Sequence, residues 1–271
     1  MPFGTVLAFR RPMIRLLLLM TLLGSFFSRV SAAASPETEA PKDLTRSSAV
    51  PLASLFSLTF RDVWTPSRWN SSRAANTVDF RPLIPFKVWN QPNLTRITLP
   101  YRTEFDSGNG LGDVRIFDLV TFKTDRIFWG VGPAVNLRPD TPAGIDTFQS
   151  GLAAGAVVSA GRWSVGVLTQ SLFSSQVAAT TIQPILTYKI SESWTVGQGE
   201  LPFVFDWKRT RFIYTPLGIQ LGYLAKISGQ AIRFFVNPQY NARNIARSAR
   251  WTLASGVTFL ILPPQPGEGA T

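Results

Sequence analysis

Residues 127–138 read IFWGVGPAVNLR. Ile127, Trp129, Val131, Pro133, Val135 and Leu137 occupy one phase of a two-residue repeat. Phe128, Gly130, Gly132, Ala134, Asn136 and Arg138 occupy the other. Successive side chains of a β-strand point to opposite faces, so one face here is bulky and apolar and the other is mostly small or polar. A tilted strand needs roughly 9–11 residues to cross the hydrocarbon core of a bilayer, and this stretch is long enough.

The same repeat recurs along the chain. In 231–243, Ile232, Phe234, Val236, Pro238, Tyr240 and Ala242 oppose Arg233, Phe235, Asn237, Gln239, Asn241 and Arg243. Ile97, Leu99, Tyr101, Thr103 and Phe105 oppose Arg96, Thr98, Pro100, Arg102 and Glu104. Twelve such stretches are expected, near 52–64, 78–89, 94–105, 111–123, 127–138, 148–160, 163–173, 180–190, 194–207, 212–227, 230–243 and 250–262. The ninth changes phase between Val196 and Phe203, and its glycines suggest a bulge there. Pro82, Pro85, Pro100, Pro133, Pro184 and Pro238 fall inside the stretches, although proline cannot donate to a ladder. The gaps alternate short and long, as they do when tight periplasmic turns alternate with longer outer loops. The reading is an all-β, antiparallel up-and-down transmembrane barrel of about twelve strands over 51–262, with ten or fourteen as alternatives.

The remaining segments fit export. Met1–Arg15 is basic, 16–27 is a largely apolar run of twelve, and Val30–Ala34 supplies small residues for cleavage, so 1–34 reads as a signal peptide. The polar stretch 35–50 is expected to be a flexible periplasmic lead-in, with a small plug as the alternative. Residues 263–271 are expected to form a periplasmic tail beyond the last strand. No later segment holds 18 consecutive apolar residues, so membrane-spanning helices are excluded.

Composition narrows the chemistry. There is no cysteine and no histidine, which removes thiolate catalysis and the usual base for activating serine. No catalytic, cofactor or metal site is expected, and the chain is not read as an enzyme. The net charge of +11 includes four leader arginines; without them 23 of the 27 basic residues face 16 acids, scattered singly through apolar stretches. That is no nucleic-acid footprint. Gly108–Gly112 lacks phosphate-loop spacing and reads as a turn.

Two groups of residues are candidates for function. Trp64, Trp89, Trp129, Trp163, Trp194, Trp207 and Trp251 fall at strand ends, where aromatic girdles of membrane barrels sit. Arg81, Lys87, Arg96, Arg102, Glu104, Arg138, Arg233 and Arg243 fall on the polar face and are candidates to line the lumen. Such an excess of cations favours anionic solutes; the bland alternative is a closed barrel filled by its own side chains.

The chain resembles the bacterial outer-membrane β-barrel family associated with the meta-pathway of phenol degradation, known as transporters. The resemblance rests on Gly110-Leu111-Gly112-Asp113, Phe128–Pro133, Gly161–Gly166, Gln183-Pro184 with Tyr188, Trp194-Thr195 and Asp206-Trp207, and spans most of 78–262. The tail departs from the barrel pattern; Gly256, Phe259 and Ile261 resemble a terminal assembly signal, internally placed. The resemblance implies passage of small, hydrophobic compounds across the bacterial outer membrane. Expected partners are outer-membrane lipid, lipopolysaccharide and the barrel-assembly machinery. A closed structural or adhesive barrel displaying Arg68, Trp69 and Arg73, and a secreted soluble ligand-binding barrel, are the alternatives.

Overall fold

A computed structural model of the chain describes residues 43–50, 52, 55–71, 73–103, 108–124, 126–141, 147–244 and 248–261. The expected leader, the expected tail and Glu104 lie outside the described residues. Ala40–Leu262 forms one compact unit.

A short helix, α1 (Leu44–Ser48), precedes the wall. The wall begins with β1 (Phe56–Arg68), β2 (Ala75–Val88) and β3 (Gln91–Thr103). The fourth strand is split into β4 (Gly110–Leu111) and β5 (Val114–Lys123). Next come β6 (Ile127–Leu137), β7 (Gln149–Ala160), β8 (Trp163–Phe173) and β9 (Ala178–Lys189). The ninth strand is split into β10 (Trp194–Gly197) and β11 (Phe203–Asp206). The tenth has three pieces, β12 (Arg211–Tyr214), β13 (Pro216–Gly218) and β14 (Gln220–Ile227). It is followed by β15 (Gln230–Asn241) and β16 (Ala249–Ile261). Every paired neighbour is antiparallel, β1 pairs with β16, and β9 reaches β14 and β12 through β10 and β11. The described residues thus close into a twelve-stranded barrel with no free sheet edge.

Each of the twelve expected stretches is a strand. The first starts later than its apolar pattern suggests, at Phe56, because Leu52 and Leu55 are buried ahead of the wall rather than in it. Prolines interrupt ladders rather than strands. The β2–β3 ladder has a gap between Phe80↔Leu99 and Leu83↔Arg96, at Pro82, and the β5–β6 ladder between Phe117↔Ala134 and Val120↔Val131, at Pro133, with the register unchanged across each. A residue without an N–H leaves one rung out and the strand continues.

Five connections are tight. Trp89-Asn90 and Ser228-Gly229 are two-residue hairpin turns with positive φ at both positions, the arrangement that matches the right-handed twist of the strands they join. The turns at 161–162, 124–126 and 190–193 lie at the same end of the barrel. The connections at the opposite rim are 69–74, 104–109, 138–148, 174–177, 207–210 and 242–248, and four of the six are longer than any of the tight ones.

The faces follow the two-residue repeat. Val131, Leu152, Val165, Leu217, Ile219 and Phe234 point outward and are exposed. Gly130, Ala134, Asn136, Arg233, Asn237 and Gln239 alternate with outward residues and point inward. An outer surface of exposed Val, Leu, Ile and Phe around a buried polar interior is inside-out for a protein in water.

Candidate functional site

The inner wall has two sectors. On β5 to β9, Phe117, Leu119, Ala134, Ala153, Val157, Leu168 and Ile185 form a buried apolar cluster, with Val50 and Leu52 from the leading segment packed onto it. Leu52 is fully buried, and a Cβ on Gly155 would come within 2.7 Å of its Cδ1. On β1 to β3 and β14 to β16 the wall is polar, and a cavity of about 80 Å³ opens there, lined by Arg61, Arg81, Arg96, Arg233, Gln220 and Asn237 among others.

The arginines are organised by two acids. Arg61 Nε donates to Asp79 Oδ2 at 2.9 Å, and its Nη2 pairs with the same oxygen. The second acid is Glu200. Arg81 Nη1 donates to its Oε2, Arg96 Nη1 stands 3.6 Å from Oε1, and Arg61 Nη1 stands 3.7 Å from Oε2. Arg96 also lies over the Phe117 ring at 4.6 Å, and Arg233 over Phe235 at 5.3 Å. Flat guanidinium faces stack on rings while their edges remain available to anions. Arg81 Nε, Arg96 Nη1 and Arg233 Nε are buried and make no hydrogen bond within the protein.

Glu200 reaches the cluster because the ninth strand leaves the wall between β10 and β11. Its bend is fixed by Gln198 N–H donating to Leu186 O at 2.9 Å and by Asn237 Nδ2 donating to Gln198 O at 3.0 Å. Gly199 has φ +73°, and a Cβ there would collide with Asn237 Nδ2 and sit 2.7 Å from Gln220 Oε1. Only glycine takes that conformation in that space without strain.

The leading segment packs against the short-turn rim and the inner wall. Asp43 caps α1 by accepting from Arg46 N at 3.1 Å. Thr45 Oγ1 donates to Glu192 O, Arg46 Nη1 donates to Gly161 O, and Lys189 Nζ bridges Asp43 Oδ2 at 3.1 Å and Glu192 Oε2 at 2.8 Å. These contacts hold the segment to the short-turn rim. Leu44 and Leu55 pack with Leu224, Ala231 and Leu260 in a second apolar cluster. Residues 43–50, read from sequence as part of a flexible lead-in, here carry a helix and span both clusters. A segment so rich in Thr, Arg and Ser folds only because the wall supplies the apolar partners it lacks.

Of the residues expected to line the lumen, Arg81, Arg96 and Arg233 meet at the cavity. Arg102 is half-buried beside Gly112 near the long-loop rim. Lys87 is exposed at the end of β2 beside the Trp89-Asn90 turn. Arg138 is exposed just past β6, and Arg243 is exposed past β15, its Nε donating to Phe212 O at 3.0 Å. Arg61, Asp79 and Glu200 belong to the cluster without having been singled out from sequence. Asp79 could have been, since it shares a face with Arg81. Among the described residues no group of three acidic, histidine or cysteine side chains is placed to hold a metal.

All seven strand-end tryptophans point outward and are exposed, in two tiers. Trp129 stacks on Phe122, and Trp163 and Trp194 lie tilted against Tyr188 and Tyr223, near the short turns, with ring centroids 4.4–4.7 Å apart. Trp251 packs on Tyr240 at 4.8 Å near the other rim, and Trp207 Nε1 donates to Thr180 Oγ1 at 2.8 Å. Trp69 is not displayed: its Nε1 donates to Asn241 O at 3.2 Å and Arg250 covers its ring at 4.7 Å. Arg68 is buried too, so of the three residues an adhesive loop was to present, only Arg73 is exposed.

Comparison with known proteins places this architecture. No protein-family model and no curated protein matches the sequence. The KdgM porin aligns over 75% of this chain and 98% of its own, at 10% identity and a TM-score of 0.50. The COG4313 outer membrane channel from Pseudomonas putida F1 aligns over 82% and 100%, at 12% identity and a TM-score of 0.54. This is the fold of an outer-membrane β-barrel. Outer membrane phospholipase A from Escherichia coli aligns over 82% and 98%, at 10% identity and a TM-score of 0.44.

Proposed function

We propose that the chain is an outer-membrane channel for small solutes, with an interior that prefers anions. The observation that carries this reading is the charge of the lumen. Arg61, Arg81, Arg96 and Arg233 line one cavity, and only Glu200 and Asp79 answer them among the described residues there. A water-filled path past a cationic ring lowers the barrier for anions and raises it for cations. The exposed apolar band between two aromatic tiers supports residence in a bilayer, reached by export behind the signal peptide and insertion by the barrel-assembly machinery. The short turns then face the periplasm, and lipid and lipopolysaccharide cover the outer face. Affiliation with the phenol-degradation family rests on the sequence motifs named above.

The leading segment favours a channel that is narrowed, and still conducting, at rest. Val50 and Leu52 cover an apolar wall that would otherwise face water. That same wall supports a second reading, in which solutes with an apolar body follow the surface Leu52 vacates. Hydrolysis is disfavoured, because the chain has no histidine to activate a serine. Two measurements test the proposal. Heat-modifiable migration of the protein from the outer-membrane fraction is expected, and its recovery only as a soluble protein would refute the location. Liposomes containing the purified full chain should swell in isotonic sodium acetate faster than protein-free liposomes, and equal rates would refute the path.

A further inference from the structure

We infer that the arginines around Glu200 form a carboxylate-binding site whose present occupant, Glu200, is the chain's own, and that the carboxylate of a small solute competes with it. The inference rests on the channel reading for its physiological setting and on three separate observations for its chemistry. First, the occupant is a carboxylate held by Arg61, Arg81 and Arg96, while Asp79 is already engaged by Arg61 through two nitrogens. Fixed guanidinium forks suit planar carboxylates.

Second, donors remain. Arg81 Nε and Arg233 Nε are buried without a hydrogen bond, on residues that retain only 8% and 6% of their exposure. Buried donors left without partners cost free energy, and one carboxylate on a short tether does not reach all of them. A cavity of about 80 Å³ lined by Arg81, Arg96 and Arg233 adjoins them and has room for a small anion.

Third, Glu200 is the replaceable member of the cluster. Its side chain keeps 27% exposure, against 9% for Arg81, 9% for Arg96 and 3% for Asp79. It sits on the bend between β10 and β11, outside the paired strands. The arginines come from the continuous strands β1, β2, β3 and β15. The cations therefore stand on paired strands, while the Glu200 side chain is the member most open to the cavity, where a competing ligand would meet it.

Acetate is the probe. Its binding to the full-length, detergent-solubilised barrel is measured by titration calorimetry at fixed ionic strength, with chloride as the background anion. Wild type should bind acetate weakly. Glu200→Gln, which removes the internal competitor, should bind it at least about tenfold more tightly, the scale of one lost charge-assisted contact. Adding Arg81→Gln to that variant should abolish the gain. Equal acetate affinity in wild type and Glu200→Gln overturns the inference. Should Glu200→Gln fail to fold, Glu200→Asp, which withdraws the carboxylate by one methylene, should show an intermediate gain, and no gain there overturns the inference equally. The readout is binding rather than flux. A gain in acetate affinity in a barrel that conducts no ions would sustain the site and refute the channel; conduction without the gain would do the reverse.

Discussion

At the scale of single residues, the lumen depends on a glycine. Gly199 at φ +73° lets the chain turn inward and deliver Glu200 to its arginines. Gly199→Ala should destabilise the folded barrel by about 2 kcal/mol or more, since the left-handed conformation alone costs a β-carbon roughly 1–2 kcal/mol and here the carbon also meets Asn237. Gly161 is the control, at φ +54° with nothing within 4 Å of where its Cβ would lie, so Gly161→Ala should cost only the dihedral part. Urea titration of both variants in lipid vesicles measures the difference, and equal costs would show that the crowding around Gly199 is relieved without penalty. The same residues show what the sequence makes legible. Two-residue parity predicts which face a side chain takes, so Arg81, Arg96 and Arg233 were readable as inward. Parity carries no height, so Lys87, Arg138 and Arg243 looked equivalent although they stand at the rims. Glu200 was unreadable because it lies where the alternation stops.

At the scale of elements, the twelve strands were legible because pleating imposes the same repeat on every one and lipid rewards only one of the two phases. The interruptions were legible as lost phase near Gly197 and Gly199, but not as an inward fold, because the partners that fix it, Leu186 and Asn237, are remote in sequence. The leading segment was the least legible element. Its residues are polar on average, and the few that matter, Val50, Leu52 and Leu55, acquire meaning only from a wall formed later in the chain. The proposal that it narrows the path yields a prediction. Leu52→Asp places a charge against Leu119 and Leu168 and should release the segment from the apolar sector. Single-channel conductance of that variant should exceed that of the wild type severalfold while its heat-modifiable mobility stays the same. Unchanged conductance would show that the segment does not obstruct the path.

At the scale of the whole molecule, the exposed apolar outer face suits a bilayer and not water. Leu221 lies midway along the outward phase of the tenth strand and is exposed. Leu221→Arg should cost about 2–4 kcal/mol in vesicles, the penalty for arginine at the midplane of a barrel's lipid face. Leu221→Arg is expected to cost almost nothing if water covers that face, so a loss below about 0.5 kcal/mol in urea titration would contradict membrane burial. The proposed channel rests on the interior, where among the described residues of the cavity arginines outnumber acids. Its most direct test is the reversal potential of the purified full chain in a planar bilayer under a roughly tenfold potassium chloride gradient. The account predicts discrete conducting steps with a reversal potential of the sign set by chloride, moving toward zero in Arg96→Gln. A reversal potential of the sign set by potassium, or a bilayer that carries no current, would contradict it.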